Sequence, residues 1–411
     1  MNILVINAGS SSVKFSCMNS EDFTVLASGL VERIGLTGTL FNYRRHGSEK
    51  ITKEVDVKNT HQAVARITSY LCDAKLGVMK SLDEIVAIGH RVVHGGEKIT
   101  APALIDSQVK SVIEKFSELA PLHNPLNLEG IKACEEFFPG IPQVGVFDTA
   151  FHSTMPPRAY LYALPLELYE RERVRRFGFQ GTSHKYVSCE AARTLNRRME
   201  DLKIITCHLG NGSSMAAVKG GRCIDTSMGF TPLEGLIMGT RCGDLDPAII
   251  FYLMERKQMT AAAVNEMLNR KSGMLGLAAI GSSDLRDIEQ KIAEGHAHAK
   301  TAFEAFCYRI RKYIGAYIAA MGGVDVIVFT AGIGENSDKV RAAVCSGMEG
   351  LGIVLDAQKN VSLNHSKGDI SSPESRVKIL IIPTNEELEI ARETMEVLNS
   401  RAKTRMGSST L

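Results

Sequence analysis

The sequence predicts an α/β fold built from two related halves. Apolar runs of strand length alternate with helix-period segments along the chain, which sets it apart from all-β folds and helical bundles. Each run stops just before polar or glycine-rich residues, and in α/β sheets the carboxyl ends of strands are where ligands bind. A strand, a small-residue turn and a second strand occur twice, about 200 residues apart, which points to a duplicated fold with a cleft between facing halves.

In order, a buried strand is expected at 3–6, with the turn Asn7-Ala8-Gly9-Ser10-Ser11-Ser12 leading into Val13-Lys14-Phe15-Ser16-Cys17-Met18. A helix at 127–137 is introduced by Asn124-Pro125, and a strand follows at 144–147. A Ser183 cap starts a helix over 184–196, before the strand 204–207, the turn His208-Leu209-Gly210-Asn211-Gly212-Ser213-Ser214 and its partner Met215-Ala216-Ala217-Val218. An alanine-rich helix at 299–321 turns through Gly322 and Gly323 into the strand 326–329, and 379–382 forms the last strand. The final helix opens on Thr384-Asn385-Glu386-Glu387, a Thr-x-x-Glu capping box, with Leu388, Ala391 and Met395 on one face. Counting elements gives domains 1–150 and 151–384, the helix 385–398 completing the first and 399–411 forming a frayed basic tail.

Composition narrows the function. The 411 residues carry 48 Lys+Arg against 46 Asp+Glu, so a net charge of +2 gives no global field for nucleic acid or an acidic membrane, and any anion must be held by local groups. No segment approaches the roughly 20 apolar residues of a membrane span, and the N-terminus lacks a signal-peptide pattern, so a cytoplasmic protein is expected. Nine cysteines without a Cys-x-x-Cys argue against a disulfide framework or a structural zinc site.

The two turns and Ala331-Gly332-Ile333-Gly334-Glu335-Asn336 suit approach to an oxyanion, because glycine lets backbone N–H groups face oxygens and Ser or Asn adds donors. Simple hairpin turns are the competing reading of any one of them. None has P-loop or Gly-x-Gly-x-x-Gly spacing. Arg91 and Arg241 stand among glycines and small residues, where a guanidinium can fork onto carboxylate or phosphate, although surface ion pairs are the commoner fate of arginine. Asp148 directly follows a strand, as a ligand-facing carboxylate or a turn residue would. Glu386 equally suits a helix's first turn. His123, His184 and His208 lie beside turns, where lone histidines are more often structural.

These motifs, together with Gly89-His90-Arg91-Val92-Val93-His94-Gly95-Gly96, Arg176-Phe177-Gly178-Phe179-Gln180-Gly181-Thr182-Ser183-His184 and Pro383-Thr384-Asn385-Glu386-Glu387, resemble the acetate kinase family in order along residues 2–397. The resemblance implies the duplicated actin-like (ribonuclease H-like) ATPase fold of the actin, sugar-kinase and Hsp70 superfamily, a homodimer, and ATP-dependent phosphorylation of acetate to acetyl phosphate. By position, Asn7 and Glu386 would hold Mg²⁺, with Mn²⁺ as a substitute. Arg91 and Arg241 would grip the carboxylate and the transferring phosphoryl group, and Asp148 would orient the site. Ser10, Ser12, Lys14, His208, Gly210, Asn211 and Gly212 would serve the ATP phosphates, while Asp284, Arg286, Gly332, Gly334 and Asn336 would hold the adenosine. Val93, Leu122, Phe179 and Pro232 match the small apolar pocket for the acetate methyl. Gln180 stands where the family has a catalytic histidine, so the expected activity is reduced and lacks a histidine pH profile. Leu285 replaces an aromatic beside the adenine. The runner-up substrate is propionate, and the reading from another class is a nucleotide-gated binding module.

Overall fold

The computed structural model describes residues 1–9, 11–120 and 123–408, with side chains described as far as Arg401. Ser10 and Leu122 lie outside the described residues. The chain divides into two compact units, Met1–Phe151 with Asn385–Leu411, and His152–Thr384.

The first unit carries β1 (Asn2–Ala8), β2 (Ser12–Asn19), β3 (Val25–Glu32), β4 (Leu40–Arg45), β5 (Ile51–Glu54), β6 (Ile85–Val92), β7 (Ala103–Leu104) and β8 (Gln143–Phe147). The second carries β9 (Lys203–His208), β10 (Ser214–Lys219), β11 (Arg222–Thr226), β12 (Val326–Thr330), β13 (Gly368–Asp369) and β14 (Lys378–Ile381). Among the described residues the sheet orders are β5-β4-β3-β2-β1-β6-β8-β7 and β11-β10-β9-β12-β14-β13. In the first, β1 pairs antiparallel with β2 and parallel with β6, which pairs parallel with β8. In the second, β9 stands in the same relation to β10 and β12, and β12 pairs parallel with β14. Each series ends in a two-residue antiparallel edge strand, β7 or β13. The strand–turn–strand echo in the sequence is this repeated topology.

β1 is apolar from Ile3 to Ile6 because both its faces are covered. Leu4, Ile6 and Ala8 join a core with Phe15 and with Ala63, Val64 and Ile67 of the helix Thr60–Leu71. Ile3 and Val5 join another with Val144, Val146, Ile390 and Ala391. Successive side chains leave a strand on opposite faces, so the second core belongs to the last helix and draws it onto the first unit. The expected strands omitted β6, whose apolar run is broken by Gly89 and His90. That glycine is required by the same helix, since a Cβ there would lie 2.5 Å from Thr394 Oγ1 and 2.7 Å from Ile390 Cγ2.

Several local expectations are corrected. Ser183 does not cap its helix, which spans Gly181–Thr194 with Gln180 in the cap position at φ 58°. Ser183 is spent inside, its Oγ 2.8 Å from both His208 Nδ1 and Thr384 Oγ1. The Thr384 capping box is not formed either, because Asn385 Oδ1 accepts from the Leu388 N–H at 3.0 Å and takes the capping role. The last helix runs Glu386–Ser408 instead of ending at 398, since no proline or glycine precedes Gly407 and arginine, lysine and alanine favour continuation.

Candidate active site

Parallel pairing puts the carboxyl ends of β1, β6 and β8 on one edge of the first sheet. Arg91 is the penultimate residue of β6, not part of a glycine-rich loop, and Asp148 follows β8 immediately, its N–H donating to Val92 O at 2.9 Å. The Arg91 Nη2 donates to Asp148 Oδ2 at 2.7 Å and Nε lies 3.2 Å from both carboxylate oxygens. Asp148 is 1% exposed, and a carboxylate so buried requires a cationic partner. Glu386 Oε2 lies 3.9 Å from Arg91 Nε. Burial opposes the charge on Arg91, yet Asp148 and then Glu386 outweigh it and hold the guanidinium above its ordinary range. Burial likewise pushes the Glu386 carboxyl up, against the pull of Arg91, and Asp148 and Glu387 add to the rise. The Arg91 Nη1 has no hydrogen-bond partner among the described residues and remains available to an anion.

Asn7 lies opposite Lys14 in the β1–β2 register, and cross-strand partners share a face. The Lys14 Nζ reaches Glu387 Oε1 at 2.6 Å. Three carboxylates (Asp148, Glu386, Glu387) therefore face two cations (Arg91, Lys14), and Asn7 adds a neutral oxygen on the Lys14 face. Surplus negative charge and oxygen donors fit a hard divalent ion such as Mg²⁺. Among the described residues no group of three or more acidic, histidine or cysteine side chains forms a cage, so protein would supply only some of the ligands.

Two asparagines that sequence reasoning used only to introduce a helix position the segment beyond β6. Asn127 Oδ1 accepts from the Val93 N–H at 3.1 Å while its Nδ2 donates to Ala8 O at 2.8 Å. Asn124 exchanges two 3.0 Å hydrogen bonds with the His94 backbone. Long-range side-chain bonds of this kind leave no periodic signal in a sequence.

In the second unit the β9–β10 turn closes on Ser213, whose Oγ donates to Gly210 O at 2.8 Å and accepts from the Gly210 N–H at 3.2 Å. Arg241 Nη1 donates to Pro232 O at 3.0 Å, and a Cβ on Gly212 would lie 3.7 Å from both Arg241 Nη1 and Gln180 Nε2. Gln180, Gly212 and Arg241 thus come together, and Asn211 O accepts from the Gly239 N–H at 2.9 Å beside them. Burial alone lowers the Arg241 pKa, for no carboxylate pairs with it among the described residues. The histidines are not isolated. His184 packs with its ring centroid 5.6 Å from that of His152 and 6.1 Å from that of His208. Burial, then His152 and His208, hold it well below its ordinary pKa.

The 331–336 segment is a short helix, Ala331–Asn336, and its donors are largely spent. Ala331 N–H donates to Glu335 Oε1 at 2.7 Å, and the Ile333 and Gly334 N–H groups both donate to Leu209 O. This corrects the expectation of an open oxyanion turn. Asp284 caps the helix Leu285–Ala293 and pairs with the exposed Arg286, whose side-chain hydrogen bond lowers the carboxyl to about 2. Leu285 packs into the unit's core instead of standing open to a base. Phe179 is buried, with its carbonyl 2.9 Å from His152 Nε2.

The sequence model of the acetokinase family matches residues 2–392. The chain belongs to that family. Among acetokinase relatives, the acetate kinase of Thermotoga maritima is 55% identical over 399 residues, spanning 97% of this chain and 99% of that one. The crystal structure of the Porphyromonas gingivalis acetate kinase superposes with a TM-score of 0.92 at 48% identity, covering 97% and 99% of the two chains. A propionate kinase from Francisella tularensis superposes with a TM-score of 0.89 at 42% identity, covering 96% and 99%. These alignments cover 96–97% of this chain, so the acetokinase assignment spans both units.

Proposed function

We infer that the chain transfers the γ-phosphoryl group of ATP to acetate, reversibly and by direct in-line displacement, giving acetyl phosphate and ADP. The observation that carries this is Arg241. A largely buried guanidinium with no acid beside it among the described residues is costly unless an anion arrives to pair with it. Its remaining N–H groups, with the Gln180 amide, neutralise the equatorial oxygens of the transferring group, where charge is spread in the transition state. Arg91, its fork oriented by Asp148, grips the acetate carboxylate, which is already ionised and needs no general base. Asn211 and the 210–214 turn hold the ATP phosphates, while Asp284, Arg286 and residues 332–336 hold the adenosine. Asn7 and Glu386 would hold Mg²⁺, which when bound supplies neutralising charge to the phosphates. Acetate is preferred over propionate because Val93 limits the acyl end.

A second copy of this chain is the proposed partner. The helix Ala248–Arg256 buries none of its residues, and Ile249, Phe251 and Tyr252 are 42%, 62% and 55% exposed. Such an apolar face suits a homodimer interface. Among the described residues no helix is long and apolar enough to cross a membrane, and a cytoplasmic location is proposed with the enzyme.

The deciding experiment is incubation with MgATP, acetate and hydroxylamine. Hydroxamate forms only from an acyl phosphate, and ATP turnover without it would return the chain to the nucleotide-gated reading.

A further inference from the structure

The carbonyl of Gly212 can only accept a hydrogen bond, so the end of the Gln180 amide facing it at 3.4 Å is Nε2. The other end, Oε1, accepts from Ser214 Oγ at 2.5 Å. With its proton spent there, Ser214 accepts from His184 Nε2 at 2.7 Å, and His184 Nδ1 accepts from Thr206 Oγ1, also at 2.7 Å, a shorter bond than the 3.4 Å that separates the same hydroxyl from Ala216 O. The neutral ring that this direction needs is the form burial favours at His184. Ser214, His184 and Thr206 are all fully buried, which keeps bulk solvent from supplying substitute partners. The polarity therefore runs one way, from Thr206 to Gln180, and a second Nε2 proton has no hydrogen-bond partner among the described residues, while Nε2 and Arg241 Nη1 both stand 3.7 Å from where a Gly212 Cβ would lie.

We propose that Ser214, set in turn by His184 and Thr206, is a positioning residue that fixes the Gln180 amide with its N–H groups toward the anion at Arg241. The identity of that anion rests on the phosphoryl-transfer reading above. An amide has two ends of similar shape and opposite polarity, so at this position orientation decides function. Reversed, Oε1 would meet both the Gly212 carbonyl and the phosphoryl oxygens, and attraction would become repulsion. Gln180 itself sits in left-handed backbone at φ 58°, a conformation that costs a non-glycine residue and persists where its surroundings hold it.

The test is a double-mutant cycle of Ser214→Ala and Gln180→Ala, read as kcat and as KM for acetate. Ser214→Ala is expected to lower kcat about ten-fold with KM within about two-fold, yet to change kcat less than about two-fold once Gln180 is alanine. An equal fall in both backgrounds would make Ser214 merely structural and overturn the proposal. Ser214→Thr keeps the hydroxyl and is expected to retain most of kcat; a loss matching that of alanine counts against it. A second readout needs neither activity nor a folded Ser214 variant. In the unaltered protein, labelled with 15N-glutamine, the Gln180 side-chain resonance is assigned by its loss in Gln180→Ala. It should show two distinct Nε2 protons, the one facing the Gly212 carbonyl exchanging more slowly than the other, and a rapidly averaged pair like that of an exposed glutamine would sink the inference. If the unaltered chain forms no hydroxamate, the functional reading fails while this resonance still judges the orientation.

Discussion

Arg91 and Asp148 meet as a forked pair at the carboxyl edge of the first sheet, with Nη2 2.7 Å from Oδ2 and Nε 3.2 Å from each oxygen. Arg241 has no such partner among the described residues. The two arginines, both assigned to phosphoryl transfer in the function proposed above, start from opposite electrostatic surroundings, which separates the effects expected on removing them.

Arg91→Ala and Arg241→Ala should each lower kcat by roughly 10² or more, because each removes a cation the transition state needs more than the ground state. Their stabilities should differ. Arg91→Ala strips the 1%-exposed Asp148 of its cation and should cost about 3 kcal/mol. Arg241→Ala removes a charge that no acid offsets and should change stability by less than about 1 kcal/mol. Urea melts beside the hydroxamate assay check both halves. Equal destabilisation would contradict the pairing seen here, and near-normal kcat in either variant would remove that arginine from the mechanism.

What the sequence made legible follows from burial. β1, β8, β9, β12 and β14 are covered well enough to read as unbroken apolar runs, and the two hairpins share a small-residue turn. β4 and β5, with Arg44, Arg45, Thr52 and Lys53 exposed, lack such a run. β6 was hidden by Gly89, whose reason is a helix nearly 300 residues later in the chain. Arg91, Asp148 and Arg241 could be picked out by residue type and neighbours. Asn124, Asn127 and Ser214 could not, because their work is done through partners that only the fold brings near.

Histidine at position 180 should raise kcat and add an ionisation between about pH 6 and 7, since an imidazolium carries charge that an amide cannot. The Ser214 hydroxyl, now donating to Oε1, can turn to serve either ring state. The kcat–pH profiles of the unaltered chain and Gln180→Ala should share their shape, and that of Gln180→His should differ. Three superimposable profiles would make the position passive.

Stability should fall on mild acidification because of His90. Burial lowers its pKa from 6.5 to about 4, against the raising effect of the hydrogen bond that His90 Nε2 donates to Gln143 Oε1 at 2.6 Å. The folded state thus disfavours the proton that the unfolded chain takes up near 6.5. The stability held by the neutral ring is present above pH 6.5 and is lost progressively as pH drops through about 4. His90→Gln keeps a neutral donor and should flatten the pH dependence of the urea midpoint across that window. An unchanged slope would show that other groups, such as the still more strongly depressed His94, govern it.

In the proposed function, substrate choice turns on Val93. It is 5% exposed, and the Asn127 hydrogen bond to its N–H fixes where its side chain stands. Its two methyl groups would occupy the space a longer acyl chain requires, so acetate should be preferred. A methylene is worth only about 1 to 3 kcal/mol of discrimination, so propionate should remain a substrate, roughly 10-fold to 200-fold poorer in kcat/KM. Val93→Ala vacates that space while the backbone stays pinned by Asn127, and should narrow the gap. The gain should come chiefly as a lower KM for propionate, because the added contact is made equally in ground and transition states. Measuring kcat/KM for both acids on both proteins separates this from a general loosening, which would instead lower kcat for acetate. A wild-type preference for propionate, or a ratio unmoved by Val93→Ala, would place the specificity elsewhere than at this side chain.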